Sequence, residues 1–84
     1  MQGLHRGDTM TAKEMFKGLG YICERSNDMG IIYRHYASDK LACVSEIGFW
    51  LTFREYYTKQ RDNSFIDVRT HQAITKQMEE LGWL

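Results

Sequence analysis

The sequence lacks an excess of either charge, because eleven Lys and Arg residues balance eleven Asp and Glu residues over 84 positions. A protein that binds nucleic acid mainly through its phosphates usually carries a clear excess of Lys and Arg. An acidic mimic of DNA would carry the opposite excess. The balance argues against both classes of protein, although a local basic patch remains compatible with it.

Cysteine and long apolar runs are also scarce. The two cysteines, Cys23 and Cys43, are too few for a disulfide scaffold and too far apart in the sequence for a zinc knuckle. The sequence has no apolar run long enough to cross a membrane and no secretory h-region. We therefore expect a cytoplasmic protein with reduced thiols.

The patterns that metal binding and nucleophilic catalysis require are missing as well. His35 and His71 do not lie at the short spacing of a ligand cluster, either with each other or with Cys23 and Cys43. Cys43 and Ser45 are candidate nucleophiles, but no glycine elbow accompanies them and no phosphate-binding glycine loop occurs. A domain of this size also seldom forms a deep pocket alone. We expect no enzymatic activity, no catalytic residue, no metal and no other cofactor.

What the sequence does contain is sufficient for one folded domain. Hydrophobic residues make up 43% of the chain and include 2 Trp, 5 Tyr and 4 Phe, which provide large side chains for a core. Residues 1–9 contain two glycines and a single large aliphatic residue, Leu4, so we expect a flexible tail there. Residues 10–84 are expected to form a single α+β domain.

A helix is predicted at each end of this domain. Residues 11–14 fit the capping box that begins many helices, and Gly20 is expected to end the first helix in a left-handed cap. Asp67 suits the N-cap of the second helix, and Gly82 is expected to end it. Within the second helix, apolar residues recur at i, i+4 and i+7: Ile74, Met78 and Leu81.

Between the two helices the pattern favours strands joined by short turns. Strands are predicted at residues 21–25, 31–36, 41–47 and 49–57, turns at residues 27–30 and 38–40, and a turn or a bulge at Gly48. Short turns favour antiparallel neighbours. The predicted fold is therefore α-β-β-β-β-α, with an antiparallel sheet of three to five strands and both helices on one face. The other face of the sheet, the open face, is left uncovered.

The open face is the expected site of function. If residues 49–57 form one continuous strand, alternate residues of that strand lie on the open face, together with residues of the neighbouring strand. This interpretation gives five candidate partner-binding residues: Trp50, Arg54, Tyr56, Arg34 and Tyr36. Aromatic and arginine side chains of this kind are typical of protein–protein hot spots and of surfaces that stack nucleic-acid bases. Alternatively, the aromatic residues are packing partners across neighbouring strands.

The two ends of the domain have distinctive sequences: MTAKEMF at residues 10–16, Leu-Gly-Tyr at residues 19–21, and the terminal helix with Leu-Gly-Trp at residues 71–83. These sequences resemble the ends of small uncharacterised bacteriophage and prophage proteins. The resemblance covers nearly all of residues 10–84, but its sharpest parts are capping and core features. The tail at residues 1–9 departs from the pattern.

The resemblance implies a phage accessory protein that acts without catalysis in the cytoplasm of the host bacterial cell. Such a protein would bind and inhibit a host protein machine, such as a CRISPR effector or another anti-phage defence complex. One alternative is a nucleic-acid-binding accessory factor of phage replication or transcription. Another is a homodimer in which a second copy closes the open face or an edge of the sheet.

Overall fold

The computed structural model describes residues 10–61 and 65–84 and confirms the predicted α-β-β-β-β-α order. Four strands form one antiparallel sheet in the order β1-β2-β3-β4. The elements are α1 Ala12–Gly18, β1 Ile22–Ser26, β2 Gly30–Tyr36, β3 Cys43–Trp50, β4 Glu55–Gln60 and α2 Val68–Glu80. The tail predicted at residues 1–9 lies outside the described residues.

The helix ends form as their local sequences predict. In the capping box, the Thr11 hydroxyl accepts the amide of Glu14 at 3.1 Å, and the Glu14 carboxylate accepts the amide of Thr11 at 2.9 Å. The Asp67 carboxylate accepts the backbone amide three residues later at 2.8 Å and caps α2. Gly20 and Gly82 follow the two helices with φ of +96° and +77°, a conformation in which glycine avoids the strain of a Cβ.

Both helices pack on the same face of the sheet and bury the core there. The Phe16 ring of α1 stacks on Tyr33 of β2 at 4.1 Å between centroids and meets Phe49 of β3 edge-on at 6.4 Å. The Tyr33 hydroxyl donates to the buried Gln77 of α2 at 2.6 Å, which ties the second helix to the same strand. The buried core consists of Ala12, Phe16, Tyr21, Tyr33, Ile47, Phe49, Ala73 and Ile74.

Two of the predicted turns are present and set the register of the first three strands. Between β1 and β2, the Asn27 side chain accepts the amides of Met29 and Gly30 at 2.9 and 3.1 Å. Between β2 and β3, the amide of Lys40 donates to the carbonyl of Ala37 at 2.7 Å, and Lys40 has φ of +62°.

The prediction of one continuous strand over residues 49–57 is wrong. The chain turns back at residues 51–54, where Arg54 has φ of +55°, and Trp50 at the end of β3 pairs with Glu55 at the start of β4. Gly48 lies inside β3 instead of at a turn or a bulge, and β4 continues to Gln60, beyond the predicted end of the strand at residue 57. The turn inserts four residues between paired strands, so the residues after it do not lie on the faces that a continuous strand would give them.

Candidate functional site

The open face carries a group of contacting polar and aromatic side chains, here called the open-face cluster. The antiparallel register brings Arg34 of β2 beside Glu46 of β3, and Gly48 of β3 beside Tyr57 of β4. Side chains directly opposite each other in an antiparallel sheet lie on the same face and interact. The open-face cluster consists of Glu24, Arg34, Tyr36, Glu46, Trp50 and Tyr57.

The carboxylate of Glu46 is the centre of this cluster. Arg34 Nε donates to Glu46 Oε1 at 2.8 Å, and the Tyr57 hydroxyl donates to Glu46 Oε2 at 2.5 Å. Arg34 Nη1 also lies 3.5 Å from the carboxylate of Glu24. The Glu46 side chain is only 14% exposed, and each of its carboxylate oxygens accepts a hydrogen bond from another side chain of the protein.

These contacts fix the protonation states of the cluster. Burial alone would raise the pKa of Glu46, but the hydrogen bonds from Tyr57 and Arg34 and the charge of Arg34 outweigh it, so the pKa is lowered. Burial, together with donation to Glu46, raises the pKa of Tyr57 to about 12. At neutral pH the cluster therefore contains an ionised Glu46 and a protonated Tyr57.

The Tyr57 ring covers the glycine opposite it. A Cβ added to Gly48 would overlap the Tyr57 ring, so the missing side chain is what allows the ring to lie close to the sheet. Trp50 stacks on Tyr57 at 6.0 Å between centroids, and Lys59 Nζ lies 5.6 Å from the Tyr57 ring centroid. Ile32, beside Gly48 in the register, is only 6% exposed, so side chains form a layer over the centre of the open face.

At the other end of the open face, Tyr36 and Glu24 border a shallow cavity. The Tyr36 hydroxyl donates to Glu24 Oε1 at 2.5 Å, and this bond is the main reason that the pKa of Tyr36 is raised. The cavity has a volume of about 400 Å³ and is also bordered by Ile22, His35 and Lys40. It extends the open-face cluster toward the edge formed by β1.

Three of the five predicted site residues belong to the cluster. Arg34 and Tyr36 lie on β2 and Trp50 lies at the end of β3, all on the open face. The other two lie elsewhere because of the turn at residues 51–54. Tyr56 is on the helix face, where its ring stacks on the core residue Phe49 at 5.9 Å. Arg54 is in the turn itself.

Arg54 has a local structural contact instead of a place on the open face. Its Nη2 donates to the backbone carbonyl of Gly82 at 3.3 Å, just beyond the end of α2. A cation near the carboxyl end of a helix interacts favourably with the helix dipole and with its free carbonyls. This contact connects the β3–β4 turn to the C-terminal segment.

The sequence interpretation missed Glu46 and Tyr57, the two residues that hold the cluster together. Glu46 is in a predicted strand, two positions before Gly48, so alternation alone places it on the same face as that glycine. Tyr57 would have been assigned to the open face only if the turn had been recognised. Their contact depends on pairing between strands, for which the sequence gives no local signal.

Comparison with known proteins gives no match: no family model, no curated protein and no solved structure matches the chain. Within residues 10–61 and 65–84, no helix has the length and apolar character needed to span a membrane. The same residues contain no group of three or more His, Cys, Asp or Glu side chains that could hold a metal ion.

Proposed function

We propose that this protein acts by binding a partner protein through the open face of its sheet. The observation that carries the proposal is the open-face cluster, in which Arg34, Tyr36, Trp50 and Tyr57 lie together on the face that neither helix covers. Trp, Tyr and Arg are the residue types most enriched at protein–protein hot spots. The phage resemblance suggests the partner, a host protein machine such as a CRISPR effector or another defence complex in the bacterial cytoplasm, which the protein would inhibit.

The side chains of the cluster are held in place before any partner binds. Glu46 fixes Arg34 and Tyr57 by hydrogen bonds of 2.8 and 2.5 Å, and Trp50 stacks on the fixed Tyr57 ring. Binding through side chains that are already ordered loses less conformational entropy than binding through mobile ones. This arrangement supports a recognition role for the face.

The charges of the open face favour a protein partner over nucleic acid. Among the described residues of the four strands, the register and contacts place three acidic and three basic residues on this face: Glu24, Glu46, Glu55, Arg25, Arg34 and Lys59. Arg34, which a nucleic-acid-binding factor would use on a phosphate, is already paired with two carboxylates. Mixed charge around an aromatic centre is typical of a protein interface.

Affinity capture from a bacterial host lysate, with and without nuclease, tests this proposal. The test variants are Trp50→Ala and Tyr36→Ala on the open face, and the matched control is His71→Ala, which removes an exposed ring from α2. Circular dichroism and thermal unfolding establish that each variant folds. Loss of a hot-spot residue typically weakens binding by 2 kcal/mol or more, about thirtyfold.

We expect a nuclease-resistant protein partner that both open-face variants lose and the control retains. Retention of the partner by both open-face variants would contradict the proposed face. Capture of nucleic acid alone, with affinity falling steeply as salt rises, would replace this function with that of a nucleic-acid-binding factor.

A further inference from the structure

We propose that this protein forms a symmetric dimer in which β4 of one copy pairs antiparallel with β4 of a second copy, joining two four-stranded sheets into one. The proposal concerns the edge of the sheet and does not depend on the proposed function of the open face. It rests on three features of β4: its regular edge, its exposure on both faces, and its self-complementary charges.

The two edges of the sheet differ in their regularity. The strand order places β1 and β4 at the edges. The register of β1 is interrupted by a bulge between Cys23 and Arg25, and such bulges hinder pairing with a further strand. In contrast, β4 pairs with β3 without interruption from Glu55 to Gln60. The outward backbone amides and carbonyls of β4 therefore form a regular row that a further strand could use.

The helix layer leaves β4 largely uncovered. On the helix face of this strand, Tyr56 is 45% exposed and Thr58 is exposed. On the open face, Glu55 and Lys59 are exposed. Within residues 10–61 and 65–84, no strand pairs with the outer edge of β4. A second copy can therefore approach this edge without displacing a described element.

The charges of β4 complement themselves when two copies pair about Tyr57. A two-fold axis normal to the sheet at Tyr57 places Glu55 opposite the partner's Lys59, and the symmetry repeats this pair. The two Tyr57 residues are then neighbours on the open face, while Tyr56 lies opposite the partner's Thr58 on the other face. Within the described residues, Glu55 has no ion pair or side-chain hydrogen bond, so it is available to the partner.

Neighbouring registers satisfy these charges less well. Pairing about Thr58 would place Glu55 opposite the partner's Arg61, beyond the end of β4, but would place Lys59 opposite the partner's Tyr57, which carries no charge. Pairing about Tyr56 would place Glu55 opposite the partner's Tyr57 and Lys59 opposite the turn. Only the register about Tyr57 gives both charged side chains an opposite charge within β4.

The dimer would also extend the open face. Pairing about Tyr57 places the Tyr57–Trp50 stacks of the two copies on the same side of one continuous sheet. The aromatic surface of one copy would then continue into that of the other.

Charge reversal with rescue tests the dimer and its register together. Sedimentation equilibrium of the full chain at several concentrations gives the dimer dissociation constant for the unaltered protein and for Glu55→Lys, Lys59→Glu and the double variant E55K/K59E. Lys59 lies beside Glu46 in the register, so Lys59→Glu can also affect folding, whereas Glu55→Lys alters a side chain without a described partner. Thermal unfolding of each variant separates the two effects.

We expect a dimer that each single reversal weakens about tenfold or more and that the double variant restores to within about threefold of the unaltered protein. Added salt should weaken the unaltered dimer, since the pairs are exposed. If the dimer instead paired about Thr58, the double variant would not restore dimerisation, because that register does not place residue 55 opposite residue 59 of the partner. A monomer at the highest soluble concentration, or a dimer that Glu55→Lys does not weaken, would overturn the proposal.

Discussion

Replacing Gly48 with alanine is expected to destabilise this protein, although the same change at most strand positions would stabilise it. Glycine loses more conformational freedom on folding than alanine, so replacing a glycine in a strand with alanine usually raises the free energy of unfolding by about 0.5–1 kcal/mol. At Gly48 the new methyl group would overlap the Tyr57 ring. The ring, and with it the contact to Trp50, must shift to make room.

The magnitude follows from the contacts that the shift disturbs. Overpacking of a fitted site costs about 1–3 kcal/mol. Movement of the Tyr57 ring also weakens its hydrogen bond to Glu46, which adds about 1 kcal/mol. After subtraction of the entropic gain, we expect Gly48→Ala to lower the free energy of unfolding by about 1–3 kcal/mol. In a domain of this size, that corresponds to a Tm lower by about 5–20 °C.

Thermal and urea unfolding of a matched set of variants measures this effect. Gly18→Ala is the control, because a Cβ there meets nothing within 4 Å and the residue ends α1 without positive φ; it should be neutral or stabilising by up to about 1 kcal/mol. In a Tyr57→Leu background, the penalty of Gly48→Ala should fall by about 1 kcal/mol or more, since the clashing ring is gone. A Gly48→Ala variant as stable as the unaltered protein, or a penalty unchanged in the Tyr57→Leu background, would refute this packing.

Three further substitutions test the contacts that support the fold and the cluster. Glu46→Gln should lower the free energy of unfolding by about 1–2 kcal/mol at neutral pH. Because folding lowers the pKa of Glu46 from its ordinary 4.5, the stability difference between the variant and the unaltered protein should disappear as the pH falls through the pKa of Glu46 in the folded protein. Urea unfolding at a series of pH values down to about pH 2 would measure this. Tyr33→Phe leaves the buried Gln77 oxygen without its donor and should cost about 1–3 kcal/mol in chemical unfolding, part of which Y33F/Q77L should recover. Thr11→Ala removes the hydroxyl that caps α1 through Glu14 and should cost about 1 kcal/mol, whereas Thr11→Ser should not, as thermal unfolding would show.

The parts of the fold that could be predicted from the sequence are those with local signals. The capping box at residues 11–14, the N-cap at Asp67 and the helix-ending Gly20 and Gly82 all act within a few residues of themselves. The turn at residues 27–30, which contains Asn, Asp and Gly, is of the same kind. These local signals are enough to predict both helices and the positions of the first strands.

The β3–β4 turn could not be predicted because its residues are not those typical of turns. Residues 51–54 read Leu-Thr-Phe-Arg, without the Gly, Asn, Asp or Pro that usually mark a hairpin, and Arg54 adopts positive φ without being glycine. Composition favours a strand through this point. If the turn is missed, Tyr56 and Tyr57 are assigned to the wrong faces of the sheet. The sequence therefore places on the open face only those site residues that precede the turn.

Site-specific photo-cross-linking in a bacterial host lysate tests the central claim, that the open face binds a protein, most directly. A photoreactive residue is placed on the open face in place of Tyr36, or on the helix layer in place of the exposed His71. We predict nuclease-resistant cross-links to a protein from position 36, lost when Trp50→Ala is added, and none from position 71. Cross-links from position 71 alone, equal cross-links from both positions, or none from either would contradict the account.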